Sequence, residues 1–595
     1  MSKKKIPISY TDRDFNSIKK SLVEHARRYY PDTYKDFNEA SFGSLLLDSV
    51  AYVGDVLSFY LDYQANESFL ETSIEKENII SLSKNLGYRY SDAVSSFGEC
   101  DFFVTIPARN AGPDLRYAPV LKAGSEVTSQ AGGRYTLLED VDFANNSNQI
   151  VVSDVDQISG APTKFAIKST GQVKSGFVQE FFVNIGEYER FKKVSLEAEN
   201  ILEVVSVEDE EGHEYYEVGH LSQDVIYVDV SNRSSDKERV KNIIKPLSVP
   251  RRFVANFFPG SVELQFGQGS DLEILSSSYA DPSEVVMRQF GKSFVSDTYL
   301  DPTNFTKTEK MGVSPSNTTL SVKLRRTEIE NVNAPAGSLD RVSSAILEFT
   351  NENQLVRSRV TDVRDSIECE NEFAVVGDLT LPDEEEIKLR ARNSFSSQNR
   401  AVTMQDYVTM TYALPAKFGA IKRTRVEVDK DSFKRNINLY VISEDDQGKF
   451  ISSSPTLKNN LKTWIQTYKM MGDTFDIMDA RVINFGIDYT VVVAENVSKV
   501  ETIALCNREI EELFRIHPEI GESLYINDIY KALNRLDQVV DVTDVEIKSI
   551  SGGDYSSIPY SIRANLSLDG RVLKVPFDHV YEIKFPATDI RGTTV

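Results

Sequence analysis

The chain has 595 residues, a net charge of −23 and a sequence pI of about 4.9. It is too long for one hydrophobic core, so roughly three to five domains are expected. The apolar content of 41% and the charged content of 26% are typical of a soluble globular protein. The acidic balance argues against the basic groove of a protein that binds nucleic acid directly.

The cysteines and the N-terminus indicate the compartment. Cys100, Cys369 and Cys506 lie far apart without a CxxC pair, so neither a disulfide framework nor a zinc knuckle is indicated. The first residues are basic, but no apolar segment of a secretory signal follows them. We therefore expect synthesis in a reducing cytoplasm.

Helical periodicity dominates the first 96 residues. Residues 10–30 carry an apolar face at helical spacing, and a long second helix is predicted over 36–66. A third apolar pattern over 74–86 ends at Gly87, which is typical of a helix C-terminus. The sequence predicts an N-terminal helical bundle region over residues 1–96.

The second helix has an unusually wide apolar face. Its apolar positions at helical spacing are Phe42, Leu45, Leu46, Val50, Val53, Val56, Leu57, Tyr60 and Tyr63. The opposite side is a narrow polar strip that consists of Ser44, Asp48, Ala51, Asp55, Ser58 and Asp62. A helix that is apolar over most of its circumference has to be surrounded by other helices or other chains.

Three environments are compatible with such a helix. A membrane span is disfavoured, because Asp48, Asp55 and Asp62 would each cost several kcal/mol in the bilayer. A core helix of an ordinary domain and a helix of an intersubunit bundle remain open. The candidate interface residues are Leu46, Val50, Val53, Leu57, Tyr60, Asp48, Asp55 and Asp62, and the three aspartates face either solvent or basic groups of a partner.

Short strands follow the helical region. Alternating apolar residues such as those of 226–230 and 262–266 predict a β-rich domain over 97–312 and a second β-rich segment over 313–380. The acidic run 208–212 lies between two such strands, and a hairpin turn is its simplest explanation.

The last third alternates between helix and strand. A helical pair is predicted over 381–424, with Thr403 as an N-cap and Asp406 three residues later. Residues 425–595 are predicted to form a C-terminal α+β domain, an α/β sandwich that is plausibly ferredoxin-like. The expected fold class is therefore multidomain α+β.

No catalytic constellation is recognisable. His213 and His220 lack the spacing of a helical zinc motif, which argues against a metal site at these two residues. Gly267 and Gly269 follow a strand without a third glycine or a helix, which favours a tight turn over a dinucleotide loop. We expect no catalytic, cofactor-binding or metal residues, and a pair of catalytic carboxylates, which needs no local motif, stays open as the alternative.

Several segments together resemble a known family. In chain order they are SFGSLLLDSVAYVGDVLSFYLDYQANESFLETS (41–73), NIISLSKNLGYRY (78–90), VLKAGSEVTSQAGGRYTLLEDVDF (120–143), VELQFGQGS (262–270), LPDEEEIKLRARNSFSSQNRAVTMQDYVTMTYALP (381–415) and IGESLYINDIYKALNRLDQVVDVTDVEI (520–547). They resemble the baseplate wedge subunits of T-even-type contractile-tailed phages, within the baseplate J-like family. Lys122 and Gln268 depart from the residues that are common in that family.

The resemblance implies a structural protein of the virion tail baseplate, made in the host cytoplasm and not an enzyme. Its implied partners are a second copy of itself within a wedge, a ring of copies in the baseplate, other wedge proteins, and tail tube or hub proteins. No cofactor and no membrane insertion are implied. The alternative function is a virion-associated tail protein that binds or degrades glycans.

Overall fold

The computed structural model describes most of the chain. The described residues are 14–30, 41–91, 93–109, 112–156, 161–231, 242–270, 311–328, 332–377, 381–429, 436–445, 447–494, 497–515 and 517–594. They fall into two compact units, one from 1–90 and 382–395 and the other from 91–381 and 396–595. The predicted first residues of the two N-terminal helices, 10–13 and 36–40, lie outside the described residues.

The described residues contain eleven α-helices. They are α1 (Phe15–Tyr29), α2 (Phe42–Glu67), α3 (Lys76–Asn85), α4 (Arg357–Asp365), α5 (Glu384–Ser397), α6 (Met404–Tyr412), α7 (Pro455–Tyr468), α8 (Lys499–Leu513), α9 (Ile526–Leu533), α10 (Ile562–Asn565) and α11 (Pro586–Asp589). Single 3-10 turns are formed by Leu115–Tyr117, Glu352–Gln354 and Ala416–Phe418.

Strands make up most of the second unit. The first half of the chain forms β1 (Phe97–Arg109), β2 (Gly112–Pro113), β3 (Val120–Leu121), β4 (Glu126–Ser129), β5 (Arg134–Leu137), β6 (Val141–Asp142), β7 (Gln149–Val155), β8 (Pro162–Ser175), β9 (Phe177–Ile185), β10 (Lys193–Glu197), β11 (Ile201–Glu208), β12 (Glu214–Glu217), β13 (Val225–Ser231), β14 (Asn242–Ser248), β15 (Arg252–Phe258) and β16 (Ser261–Phe266). The second half forms β17 (Thr318–Arg326), β18 (Leu339–Ser344), β19 (Leu347–Glu348), β20 (Glu368–Glu370), β21 (Arg423–Val428), β22 (Asn436–Glu444), β23 (Phe450–Ile451), β24 (Thr474–Asp479), β25 (Arg481–Val493), β26 (Leu524–Tyr525), β27 (Val539–Ile550), β28 (Val572–Leu573), β29 (His579–Glu582) and β30 (Ile590–Thr594).

The first unit is helical, as the sequence predicts. Asp14 and Ser41 cap α1 and α2 by accepting hydrogen bonds from Ser17 N and Ser44 N. Gly87 has a φ of 94°, and hydrogen bonds from Gly87 N to Lys84 O and from Tyr88 N to Ser83 O close α3. Most of α5 also belongs to this unit, which the sequence did not indicate.

Two large sheets begin the second unit, and all their strand pairs are antiparallel except the parallel pair β12–β15. The first has the strand order β18-β4-β5-β8-β1-β2, with β7 on β8 and β20 on β1. Its core includes Phe102, Val104, Ile106 and Tyr135. The second has the order β10-β16-β15-β12-β11-β17-β9. Because β17 pairs with β9 and β11, the predicted boundary at residue 313 does not separate two sheets, and the domain boundaries remain predictions.

Two smaller α/β layers complete the second unit. Strands β21 to β24 form a sheet that shares a hydrophobic core with α6 and α7. In the last layer, β25 pairs antiparallel with β27 and in parallel with β29 and β30. The ferredoxin-like arrangement is not confirmed, because α8 and α9 both lie between β25 and β27 in the chain. The coarser prediction, N-terminal helices followed by many β-sheets and mixed α/β layers, describes the observed fold.

Candidate assembly interface

The polar strip of α2 faces α1 of the same chain. Ser44 and Ala51 are buried, and Asp48, Asp55 and Ser58 are half-buried. Gly54 lies at the same contact, where an added Cβ would come within 3.3 Å of the Ile18 side chain. Small side chains along the strip therefore allow α1 to approach α2 closely.

An ion pair fixes this contact. The Lys19 ammonium lies 2.7 Å from the Asp48 carboxylate, and both side chains are about one-third exposed. We expected the aspartate edge to face solvent or a partner, and for Asp48 the structure shows a basic group of its own chain instead. Asp62, near the end of the strip, is exposed.

The apolar face of α2 points away from this contact and is uncovered. Leu46, Val50, Val53, Leu57 and Tyr60 are between 53% and 61% exposed. A core helix of an ordinary domain would bury these residues, so their exposure disfavours that alternative. The helix is thus inverted relative to a normal surface helix, with polar residues inside and apolar residues outside.

The exposed apolar surface is wider than the predicted interface residues. Phe42, Tyr52, Phe59 and Leu61 of α2 are also exposed. So are other large apolar side chains of the same unit, namely Phe69, Ile74, Leu389 and Phe395. The contribution of α5 was missed because α5 begins at Glu384, more than three hundred residues after α2 ends at Glu67, and no local pattern links the two segments.

The connection from α2 to α3 is held by a buried carboxylate. Glu67 accepts hydrogen bonds from Ile74 N at 2.8 Å and from the Asn78 side chain at 2.9 Å. The hydrogen bond from Asn78 is the largest cause that lowers the pKa of Glu67 below its ordinary value. The Glu67 and Asn78 side chains therefore hold the turn that follows α2. Because α2 ends at Glu67, its exposed apolar face ends there too.

The other sequence candidates have structural roles. The His213 ring lies 3.2 Å from the Asp209 carboxylate within the β11–β12 hairpin. A Cβ on Gly267 would lie 2.0 Å from Gly312 O, so glycine is required where these two backbone segments cross. No group of three or more metal-ligating side chains occurs within the described part of the chain.

Helix α2 also meets the simplest criteria for a membrane span. It is the one described helix whose length and apolar composition would suffice, with a mean hydropathy of 1.3 over its best window. One such helix is weak evidence for a membrane span. Asp48, whose carboxylate is paired with Lys19, and Asp55 lie well inside this helix, and charged groups there would oppose insertion.

The N-terminal helices match a known family. Residues 14–85 match the family model described as bacteriophage baseplate protein, N-terminal domain. The match begins at the N-cap of α1 and ends at the last residue of α3, so it contains the whole inverted helix. It supports a structural baseplate protein as the broad class.

Two solved structures show weak overall similarity. A chain of the cryo-EM structure of the anti-feeding prophage (AFP) baseplate is 9% identical, with 95% of this chain and 90% of that chain covered and a TM-score of 0.26. A chain of the type VI secretion system TssK-TssF-TssG baseplate subcomplex is 8% identical, with 73% and 96% covered and a TM-score of 0.27. TM-scores this low do not establish a shared fold. No curated protein matches the chain.

Proposed function

We propose that this protein is a structural subunit of a contractile-tail baseplate wedge. In this proposal the exposed face of α2 docks against helices of other chains in the baseplate. The observation that carries the proposal is the inverted packing of α2, whose polar strip is used within the chain while its apolar face is free. The family match over the same helices supports a baseplate as the setting.

The size of the face favours a bundle of several helices over a simple pair. Full burial of a Val or Leu side chain contributes about 1.5–3 kcal/mol. The five candidate apolar residues are already about half covered, so their complete burial would add roughly 4–8 kcal/mol. Association costs on the order of 4–15 kcal/mol. The gain from these five residues does not exceed the cost of association, so we expect the exposed aromatic residues Tyr52 and Phe59 to be buried as well. These two residues lie on a different side of the helix from Val50.

We further propose that two copies associate within a wedge and that copies close a ring around the tail tube. This ring would rearrange when the sheath contracts. The support for these finer statements is the sequence resemblance of segments 381–415 and 520–547 to wedge subunits. The acidic surface, with a net charge of −23, is compatible with protein partners and not with direct nucleic-acid binding.

The test replaces one residue in the centre of the exposed face. Val53→Asp puts a charge where the proposal requires burial, which costs several kcal/mol when the charge has no partner. We expect the wild-type protein to form dimers or larger complexes with co-expressed neighbouring wedge proteins, measured by light scattering. Val53→Asp should reduce this association at least tenfold.

The matched control is Val500→Asp in the first turn of α8. Val500 is 79% exposed, and an acidic residue is tolerated near a helix N-terminus. This variant should assemble like the wild type. A wild-type protein that stays monomeric with its neighbours present, or a Val53→Asp variant that assembles normally, would contradict the proposal.

A further inference from the structure

Two of the three cysteines lie side by side on neighbouring strands. Cys100 is in β1 and Cys369 is in β20, and the two strands pair antiparallel with Phe102 opposite Cys369. Side chains two positions apart on a strand share a face, so Cys100 lies on the same face as Phe102 and Cys369. Cys369 is therefore the diagonal neighbour of Cys100 across the strand pair.

Both sulfurs lie close to backbone oxygens of the strands around this pair. The Cys100 Sγ lies 3.6 Å from Glu370 O, and the Cys369 Sγ lies 3.8 Å from Leu339 O. Both thiols are thus held within one small region between β1, β20 and the start of β18.

Accessibility distinguishes the two residues. Cys100 is completely buried, whereas Cys369 keeps 6% of its surface exposed. The hydrogen bond with Cys369, followed by burial, raises the pKa of the Cys100 thiol. The more accessible Cys369 is therefore the first to meet an oxidant, and Cys100 is placed to react with it next.

We propose that Cys100 and Cys369 are an oxidation site at which a small peroxide produces a disulfide between β1 and β20. The assignment uses only the geometry of these two strands and does not depend on the baseplate role. If that role also holds, oxidation would follow when the assembled particle leaves the reducing cytoplasm.

The reaction has two balanced steps. The Cys369 thiol attacks one oxygen of hydrogen peroxide, the O–O bond breaks, and the products are a Cys369 sulfenic acid and one water. The Cys100 sulfur then attacks the Cys369 sulfur, the S–O bond breaks, and the thiol proton leaves with the hydroxide as a second water. Overall, the two thiols lose two electrons and two protons, and one peroxide is reduced to two waters.

Closing this bond would constrain the chain strongly. It would link residues 100 and 369, which are far apart in the sequence, and so restrict the unfolded chain. Because β20 has only three residues, it can open locally to let the sulfurs adopt disulfide geometry. The oxidised protein should unfold at a higher temperature than the reduced protein.

The experiment uses Cys506→Ala, which leaves Cys100 and Cys369 as the two remaining cysteines. The folded protein is treated with hydrogen peroxide, and intact mass is followed over time. We expect a loss of about 2 Da, the mass of two hydrogens. A peptide that joins the segments around residues 100 and 369 should appear under non-reducing conditions, and a thiol reductant should reverse both changes.

Two further variants separate the steps. Cys100→Ala should accumulate a Cys369 sulfenic acid, which dimedone labels, and Cys369→Ala should show neither disulfide nor rapid labelling. If a variant folds poorly, the same peptide mapping on the wild-type protein shows whether Cys100 and Cys369 form a disulfide. Unreacted thiols in the folded wild type, or oxidation of the two cysteines to separate sulfinic and sulfonic acids, would overturn the proposal.

Discussion

A buried charge network joins the two large sheets of the second unit. Lys174 in β8 lies 2.7 Å from Glu203 in β11, and Arg325 in β17 lies 2.8 Å from the same carboxylate. Arg325 also donates to Thr136 Oγ1 in β5 and to Gly176 O. One carboxylate thus bridges a lysine of the first sheet and an arginine of the second.

The network makes stability depend on pH. The pKa of Lys174 is lowered from 10.5 to about 8, chiefly by burial and also by the nearby charges of Arg325 and Lys417, while Glu203 partly offsets these effects. Between these two values the unfolded chain holds a proton on this lysine that the folded chain has lost. Stability that depends on Lys174 therefore rises with pH across this window and is constant below pH 8.

Comparison with Lys174→Met tests this prediction. From pH 8 to 9.5, the unfolding free energy of the wild type should increase relative to the variant by roughly 2 kcal/mol. Urea unfolding at several pH values between 7 and 9.5 measures the difference. In the variant Glu203 keeps its contact with Arg325, so the fold should be maintained. A difference that does not change with pH would show that Lys174 titrates normally.

At the scale of single elements, α1 and α2 form a pair in which small residues set the distance. Ala51, on the polar strip, is completely buried, whereas Val53, two positions further on, is exposed. Two substitutions of similar chemistry at neighbouring positions should therefore differ in their effects. This contrast tests the orientation of α2 without any partner.

Ala51→Leu should destabilise the first unit. Added volume in a tight helix contact costs about 1–3 kcal/mol, and here it would separate α1 from α2. Val53→Leu adds a methylene on the exposed face and should change the unfolding free energy of the isolated protein by less than about 0.5 kcal/mol. Urea unfolding followed by circular dichroism compares the two variants. Equal effects would mean that α2 is rotated from the described orientation.

Element boundaries were predictable where the signal is local. Thr403 and Asp406 form both hydrogen bonds of a capping box, and Ser454 accepts from Leu457 N at the start of α7. The acidic run 208–212 forms the turn between β11 and β12, as predicted. The apolar spacing of four and three residues that begins at Leu457 continues to Met471, but α7 ends at Tyr468 and Met471 is exposed.

The orientation of α2 could not be predicted in the same way. Periodicity identified its apolar face and its polar strip, and both exist in the structure. However, the hydrophobic effect alone predicts that an apolar face packs inward, and only the position of Lys19 on α1 shows that the polar strip does so. The sequence therefore predicted which residues form the two faces of α2, but not the direction in which each face points, and the interface itself stays a prediction.

At the scale of the whole molecule, long-range pairing limits what one sequence can reveal. β17 inserts between β9 and β11 although more than one hundred residues separate it from both. α5 joins the N-terminal helices from a still greater distance, about three hundred residues further along the chain than α3. Such pairings depend on complementary surfaces that are remote in sequence, and they leave no local pattern.

The central claim is that α2 uses its polar strip within the chain and its apolar face between chains. Photo-crosslinking in assembled particles tests it directly, with a benzophenone amino acid at Leu57 on the exposed face or at Ser58 on the strip. We expect Leu57 to crosslink to another protein chain and the adjacent Ser58 to crosslink to α1 of its own chain. A crosslink from Leu57 only to its own chain, or from Ser58 mainly to another chain, would contradict the account.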